Sequence, residues 1–212
     1  MELIQMFIDL VLHLDQHLLQ LTRDYGVWVY GILFFIIFSE TGFVVTPFLP
    51  GDSLLFVAGA LAATGNLDLG VLTVALLVAA IAGNQVNFSI GRWLGPKVLA
   101  SRTGARLLKP EHVARTQAFF ERHGGKTLVL ARFVPIVRTY APFIAGVGRM
   151  PVPRFSLYNL LGALIWIGSL VGAGFLFGNL PFIRDNLTAV VLGIVFISVL
   201  PALIEVIRAR RA

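Results

Sequence analysis

Four ionisable side chains stand in stretches that are otherwise apolar. Glu40 and Asp52 lie in FSETGFVVTPFLPGD (38–52), Arg132 and Arg138 in LARFVPIVRTYAPF (130–143). A charge at the bilayer centre costs about 2.5–3.5 kcal/mol on insertion scales, so such groups persist by pairing or by lining a wet cavity. Two arginines six residues apart, with Pro135 between them, suit phosphate, because a guanidinium stays charged and presents a planar fork of donors. A helix broken at a proline also offers free backbone N–H groups, which favour anions. The carboxylates cannot hold phosphate. They can pair with the arginines, and a carboxylate that takes up a proton releases its partner, which couples a proton gradient to ligand exchange. Ion pairs that merely pin two segments together would use the same four residues, but apolar pairs often do that work as well.

The rest of the chain says what must position these groups. Of 212 residues, 57% are hydrophobic and 13% charged, with a mean hydropathy of +0.85. Soluble domains carry about 25% charged residues, so the composition is that of a polytopic membrane protein forming one domain. The net charge of +6 sits on a chain destined for lipid. It reads as a topology signal and an attraction to anionic lipid, and excludes a nucleic-acid partner. With no cysteine there is no disulfide or thiolate chemistry. His13 and His17 share a helix face, but without an HExxH context they read as surface histidines, so neither metal nor cofactor is expected. No Ser-His-Asp set or P-loop is present and no histidine accompanies the arginines, so an enzyme is not expected. The start, MELIQMFIDL, lacks the basic beginning and small-residue cleavage site of a secretory signal and is expected to be retained.

Residues 1–24 have helical apolar spacing interrupted by acids, amides and histidines, which predicts an amphipathic helix. Residues 27–64 are apolar but broken at Gly42, Pro47, Pro50 and Gly51, which predicts a re-entrant hairpin; 71–91 can span a bilayer. The basic stretch 92–126 is expected to be a cytoplasmic loop, and the tail with Arg208, Arg210 and Arg211 cytoplasmic too. If 127–147, 155–178 and 187–207 all crossed, that tail would be outside. A second re-entrant hairpin at 127–147, which carries Pro135 and Pro142, returns every basic cluster inside. Pro47, Pro50, Gly51, Pro135, Pro142 and Gly146 are expected to shape the hairpin tips. Asn84, Asn87 and Arg92 are expected to line a path or to cap a helix end.

The two halves echo one another. PFLPG (47–51) resembles PFIAG (142–146), and each precedes a span with a glycine pair, Gly91 with Gly95 and Gly174 with Gly178. With the opposed topology this predicts an all-α inverted repeat of two re-entrant hairpins, each followed by transmembrane helices, a plan that places a site near the bilayer midplane. Gly162, Gly168, Gly172, Gly174 and Gly178 permit close helix packing, within one subunit or in a homo-oligomer.

These residues resemble the DedA family, also described as the SNARE-associated or VTT-domain family. FSETGFVVTPFLPGD is similar to its F-x-E-x(6)-P-x-L-P-G-[DE], and RFVPIVRTYAPFIAG to its R-[FY]-x-P-x-x-R-x-x-x-P-x-x-A-G. GNQVNFSIGRWLG and NLLGALIWIGSLVGAGFLFG also match. The chain departs at Asn84 and Phe88, where many members have G-D-x-x-x-Y, so no role of that aspartate transfers. The resemblance implies an inner-membrane protein with opposed re-entrant hairpins. It implies lipid translocation linked to proton-motive force: undecaprenyl phosphate in bacterial members, phosphatidylethanolamine in others, phospholipid scrambling in eukaryotic relatives. The family's functional residues correspond to Glu40, Asp52, Arg132 and Arg138. The expected function is that of a flippase for a phospholipid or polyprenyl phosphate, most specifically undecaprenyl phosphate. Arg132 and Arg138 would bind substrate, and Glu40 and Asp52 would couple protons. A proton-coupled small-ion antiporter or a non-transporting envelope organiser are the alternatives.

Overall fold

The computed structural model describes residues 14–43, 51–100, 125–184, 186, 189–194 and 196, and every regular element among them is helical. Pro47, Pro50, most of the basic loop and most of the 187–207 span lie outside the described residues. The elements are α1 (Leu14–Tyr25), α2 (Trp28–Gly42), α3 (Gly51–Ala63), α4 (Leu69–Ala100), α5 (Lys126–Ala131), α6 (Pro135–Val147), α7 (Val152–Phe177) and the single turn α8 (Pro181–Arg184). Two of them are long and apolar enough to cross a membrane, α4 through Gly95 and α7, with mean hydropathies of 2.0 and 2.1.

The helix ends follow local chemistry. α1 stops at Gly26, whose φ of +53° is a conformation that glycine takes without strain. After α3, Gly65 (φ +78°) closes the turn, with Asn66 N–H donating to the Leu61 carbonyl. α4 opens on a side-chain cap: Asp68 Oδ1 accepts from the Val71 N–H at 2.8 Å. α4 then runs past Gly91 to Ala100, a correction to the expectation of a loop from residue 92. The charges of Arg92 and Lys97 mark a change of solvent, and a helix continues through such a change because its hydrogen bonds are internal. Between α5 and α6 the chain breaks at 132–134. Val134 is extended, as the residue before a proline is pushed to be, and Pro135 opens α6 where its missing N–H is no loss. Pro142 lies inside α6 and Gly146 near its end. The break therefore precedes Pro135, and neither of those residues forms a tip.

The chain divides into two compact units: Met1–Ile36, Phe48–Val78 and Ile165–Ala212 in the first, Ile37–Pro47 and Ala79–Leu164 in the second. In the first, α3 packs backbone to backbone on the end of α7. A Cβ at Gly59 would strike the Val171 carbonyl and the Phe175 nitrogen, one at Gly174 the Phe56 carbonyl and the Ala60 nitrogen, and one at Gly178 would strike Ala60. In the second unit α6 packs on α4. A Cβ at Gly146 would strike the Phe88 carbonyl and the Arg92 nitrogen, one at Gly91 the Phe143 carbonyl, and one at Gly95 would meet Val147. The register is the same: 56 and 60 face 174 and 178 as 143 and 147 face 91 and 95, so the two helices of each pair run parallel. Glycine is required where backbones touch this closely. The structural counterpart of FIAGV (143–147) is thus FVAGA (56–60), which corrects the pairing of PFIAG with PFLPG.

Around the second contact lies an apolar core of Phe88, Leu128, Ala131, Ala141, Ala145, Met150 and Phe155. The rings of Phe88 and Phe155 stack with centroids 4.0 Å apart. Within this same unit Leu157, Leu160, Leu161 and Leu164 of α7 are exposed, an apolar surface that suits lipid.

Candidate functional site

The buried charges of the second unit are Glu40, Arg132 and Arg138, at 1%, 2% and 4% exposure. Glu40 stands near the end of α2, where the last carbonyls lack intrahelical partners. Arg138 sits in the first turns of α6. Its Nη2 lies 2.5 Å from Glu40 Oε1, an ion pair between residues remote in sequence. One residue on from each partner, the backbone is tied again: Asn87 Nδ2 of α4 donates to the Thr41 carbonyl (3.1 Å) and to the Thr139 carbonyl (2.9 Å). One amide thereby caps α2 and binds it to α6 beside the ion pair.

Arg132 ends α5, at the break. Its Nη2 donates to Asn159 Oδ1 at 2.6 Å and to the Asn159 carbonyl at 3.3 Å, and its stem lies on Gly162, where a Cβ would come within 3.0 Å. Asn159 Nδ2 donates to the Ile81 carbonyl (3.0 Å), which fixes the amide orientation. Asn84 Nδ2 donates to the same Asn159 Oδ1 at 3.2 Å. Arg132 and Arg138, both buried, flank the helix break between α5 and α6. Two cations held near each other away from bulk water, on opposite sides of a helix break, are an arrangement that can take an anion.

The sequence-predicted residues are distributed as follows. Glu40, Arg132, Arg138, Asn84 and Asn87 are buried together in the second unit. Arg92 of the same unit donates to the Met150 carbonyl at 3.2 Å and so holds the turn between α6 and α7. Asp52 belongs to the first unit, in the first turn of α3, where the helix dipole favours a carboxylate. Trp166 Nε1 of α7, fully buried, donates to Asp52 Oδ1 at 3.0 Å. Gly51 begins α3. Asn159, Trp166, Thr41 and Thr139 are site residues that the sequence reading did not single out. The signal for Asn159 was a lone amide in the apolar run of α7. Trp166 carried none, since an indole in a membrane helix is ordinary.

Comparison with known proteins places this geometry in a family. The VTT domain description matches residues 49–176. The chain is 52% identical over 214 residues to the protein DedA of Escherichia coli K12, covering 100% of this chain and 97% of that one. It is 45% identical over 169 residues to a membrane protein of Mycobacterium leprae, covering 80% and 75%. It is 36% identical over 174 residues to the inner membrane protein YghB of E. coli K12, covering 82% and 77%. No solved structure matches. The chain belongs to the DedA family of membrane proteins and carries its VTT domain.

Proposed function

We propose that this protein is a flippase that carries a phosphate-headed lipid, undecaprenyl phosphate foremost, across the bacterial inner membrane, with its movement coupled to proton-motive force. Arg132 and Arg138 hold the phosphate, and Glu40 and Asp52 carry the protons. The observation that carries this reading is the buried Arg138–Glu40 ion pair beside a helix break that also bears Arg132. A buried cation cannot be left without an anion at low cost. Protonation of Glu40 removes its charge, and a phosphate then takes its place on Arg138, so the arginine trades one anion for another. The reverse step returns the proton and expels the phosphate. Nothing in this cycle breaks a covalent bond, so the role is transport and not catalysis.

The matching glycine contacts of α3 on α7 and of α6 on α4 support an inverted repeat of two re-entrant hairpins, the architecture in which such an exchange opens alternately to either side. The basic tail at Arg208, Arg210 and Arg211 supports a cytoplasmic C-terminus. The test is leaflet exchange of a labelled polyprenyl phosphate in vesicles containing the purified protein, with and without an imposed pH gradient. Exchange that the gradient accelerates is the expected result. No exchange above protein-free vesicles refutes the reading.

A further inference from the structure

Two acceptors beside the arginines have no donor among the described residues. Asn84 Oδ1 and Asn87 Oδ1 are buried, in residues 4% and 0% exposed, and neither accepts a hydrogen bond among the described residues. Their orientation is set from the other end. Asn87 Nδ2 donates to two carbonyls, and Asn84 Nδ2 donates to Asn159 Oδ1. Flipping either amide would place oxygen against oxygen. Three residues apart on α4, the two side chains lie on neighbouring positions of one helix face. A buried acceptor left unmatched costs about 1–3 kcal/mol, so both call for a donor, and neither has any use for a bare anion.

Resting on the phosphate-lipid reading above, we infer that Asn84 and Asn87 form an acceptor subsite that requires the bound phosphate to carry its own proton: the head group taken is a phosphate monoester with a P–OH. The position of the donor follows from a shared atom. Asn159 Oδ1 accepts from both Arg132 Nη2 (2.6 Å) and Asn84 Nδ2 (3.2 Å). The asparagine and the guanidinium therefore touch one point, and a group held by Arg132 meets Asn84 with no spacer. A hydroxyl on the phosphorus fits this; an amine at the end of an ethanolamine arm sits too far from it. The monoester then enters with one proton that serves one of the two acceptors, and discrimination against a phosphodiester follows because a diester, with no P–OH, serves neither.

The test uses the full-length protein in lipid nanodiscs and a set of probes: a polyprenyl monophosphate, its methyl diester, phosphatidylethanolamine and inorganic phosphate. The monoester is expected to bind about 10- to 100-fold more tightly than the methyl diester, which has the same single charge but no P–OH. Its affinity should fall as pH rises above about 6, where a phosphate monoester loses its second proton, while that of the diester should not. In Asn84→Leu the preference should shrink at least about tenfold. Competition by inorganic phosphate assigns the subsite to phosphate chemistry at large, and competition by the lipid alone assigns it to a lipid head group. Either is consistent with the subsite. Equal affinity for the two esters means that water alone satisfies Asn84 and Asn87 and overturns the subsite while leaving the phosphate-lipid reading standing. Tighter binding of phosphatidylethanolamine than of the monoester overturns the P–OH assignment. Binding of no ester at all overturns both readings.

Discussion

Arg138 and Glu40, remote in sequence, meet as an ion pair with side chains only 4% and 1% exposed, joining the end of α2 to the start of α6. Because α2 belongs to the first half of the chain and α6 to the second, the bond locks together two segments that a transport cycle would separate. That dual character yields a test. Arg138→Ala or Glu40→Ala alone should destabilise the protein by about 3–5 kcal/mol, since each removes one member of a buried ion pair. The double replacement Glu40→Leu with Arg138→Leu should recover most of that stability in a detergent melt, yet remain dead in lipid exchange. Recovery of both properties would reduce the pair to a structural pin.

Asn159 is the acceptor that aims Arg132. Asn159→Leu removes a hydrogen bond to a charged donor, worth about 1.5–3 kcal/mol, and uncouples Asn84 from the guanidinium. Thermal stability should fall by that order and lipid exchange should fall with it. Asn159→Asp keeps the acceptor for Arg132 but loses the donor to the Ile81 carbonyl, so its stability should fall between that of the wild type and that of Asn159→Leu. Neither replacement is appreciably smaller than asparagine, so the comparison of the two variants in one melting series reports the lost bonds and not a cavity.

Trp166 is the corresponding prop for Asp52. In Trp166→Phe the indole N–H is lost while most of the ring volume stays, so stability should change by about 1.5–3 kcal/mol or less. The acceleration of exchange by a pH gradient should weaken, because Asp52 loses the hydrogen bond from the indole. An undiminished response to the gradient would remove Trp166 from the coupling machinery.

The glycine contacts predict equivalent sensitivity in the two units. Gly59→Ala and Gly146→Ala each push a methyl into backbone of the facing helix and should cost about 1–3 kcal/mol. Among the described residues, no heavy atom lies within reach of a Cβ added at Gly168 or Gly172. Gly168→Ala and Gly172→Ala should leave stability unchanged or raise it by up to about 1 kcal/mol through helix propensity. Melting temperatures of the four variants check the pattern.

How far the site was legible depended on the cost of each residue. Glu40, Asp52, Arg132 and Arg138 stood out because a charge in an apolar run demands a reason. Pro135 likewise announced the break that the structure puts at 132–134. The echo between PFLPG and PFIAG was misread in register. PFLPG matches PFIAG in no more letters than FVAGA matches FIAGV, so letters do not decide; what counts is which glycine lies against a backbone, and that fact belongs to the packing, where Gly59 answers Gly146. Asn159 left a fainter signal than the charges, a lone amide in an apolar run, and Trp166 left none, because an indole is ordinary in a membrane helix. The continuation of α4 to Ala100 was hidden because Arg92 and Lys97 report where the solvent changes and say nothing of whether the backbone bonds stop there.

The central claim is that the two arginines hold a lipid phosphate during transport. It is tested most directly by measuring leaflet exchange of polyprenyl phosphate with the wild-type protein beside Arg138→Lys. Lysine keeps the charge and loses the planar fork, so exchange should drop at least about tenfold, the loss of one charge-assisted bond. Exchange by Arg138→Lys at the wild-type rate, or wild-type vesicles that move no phosphate lipid at all, would contradict it.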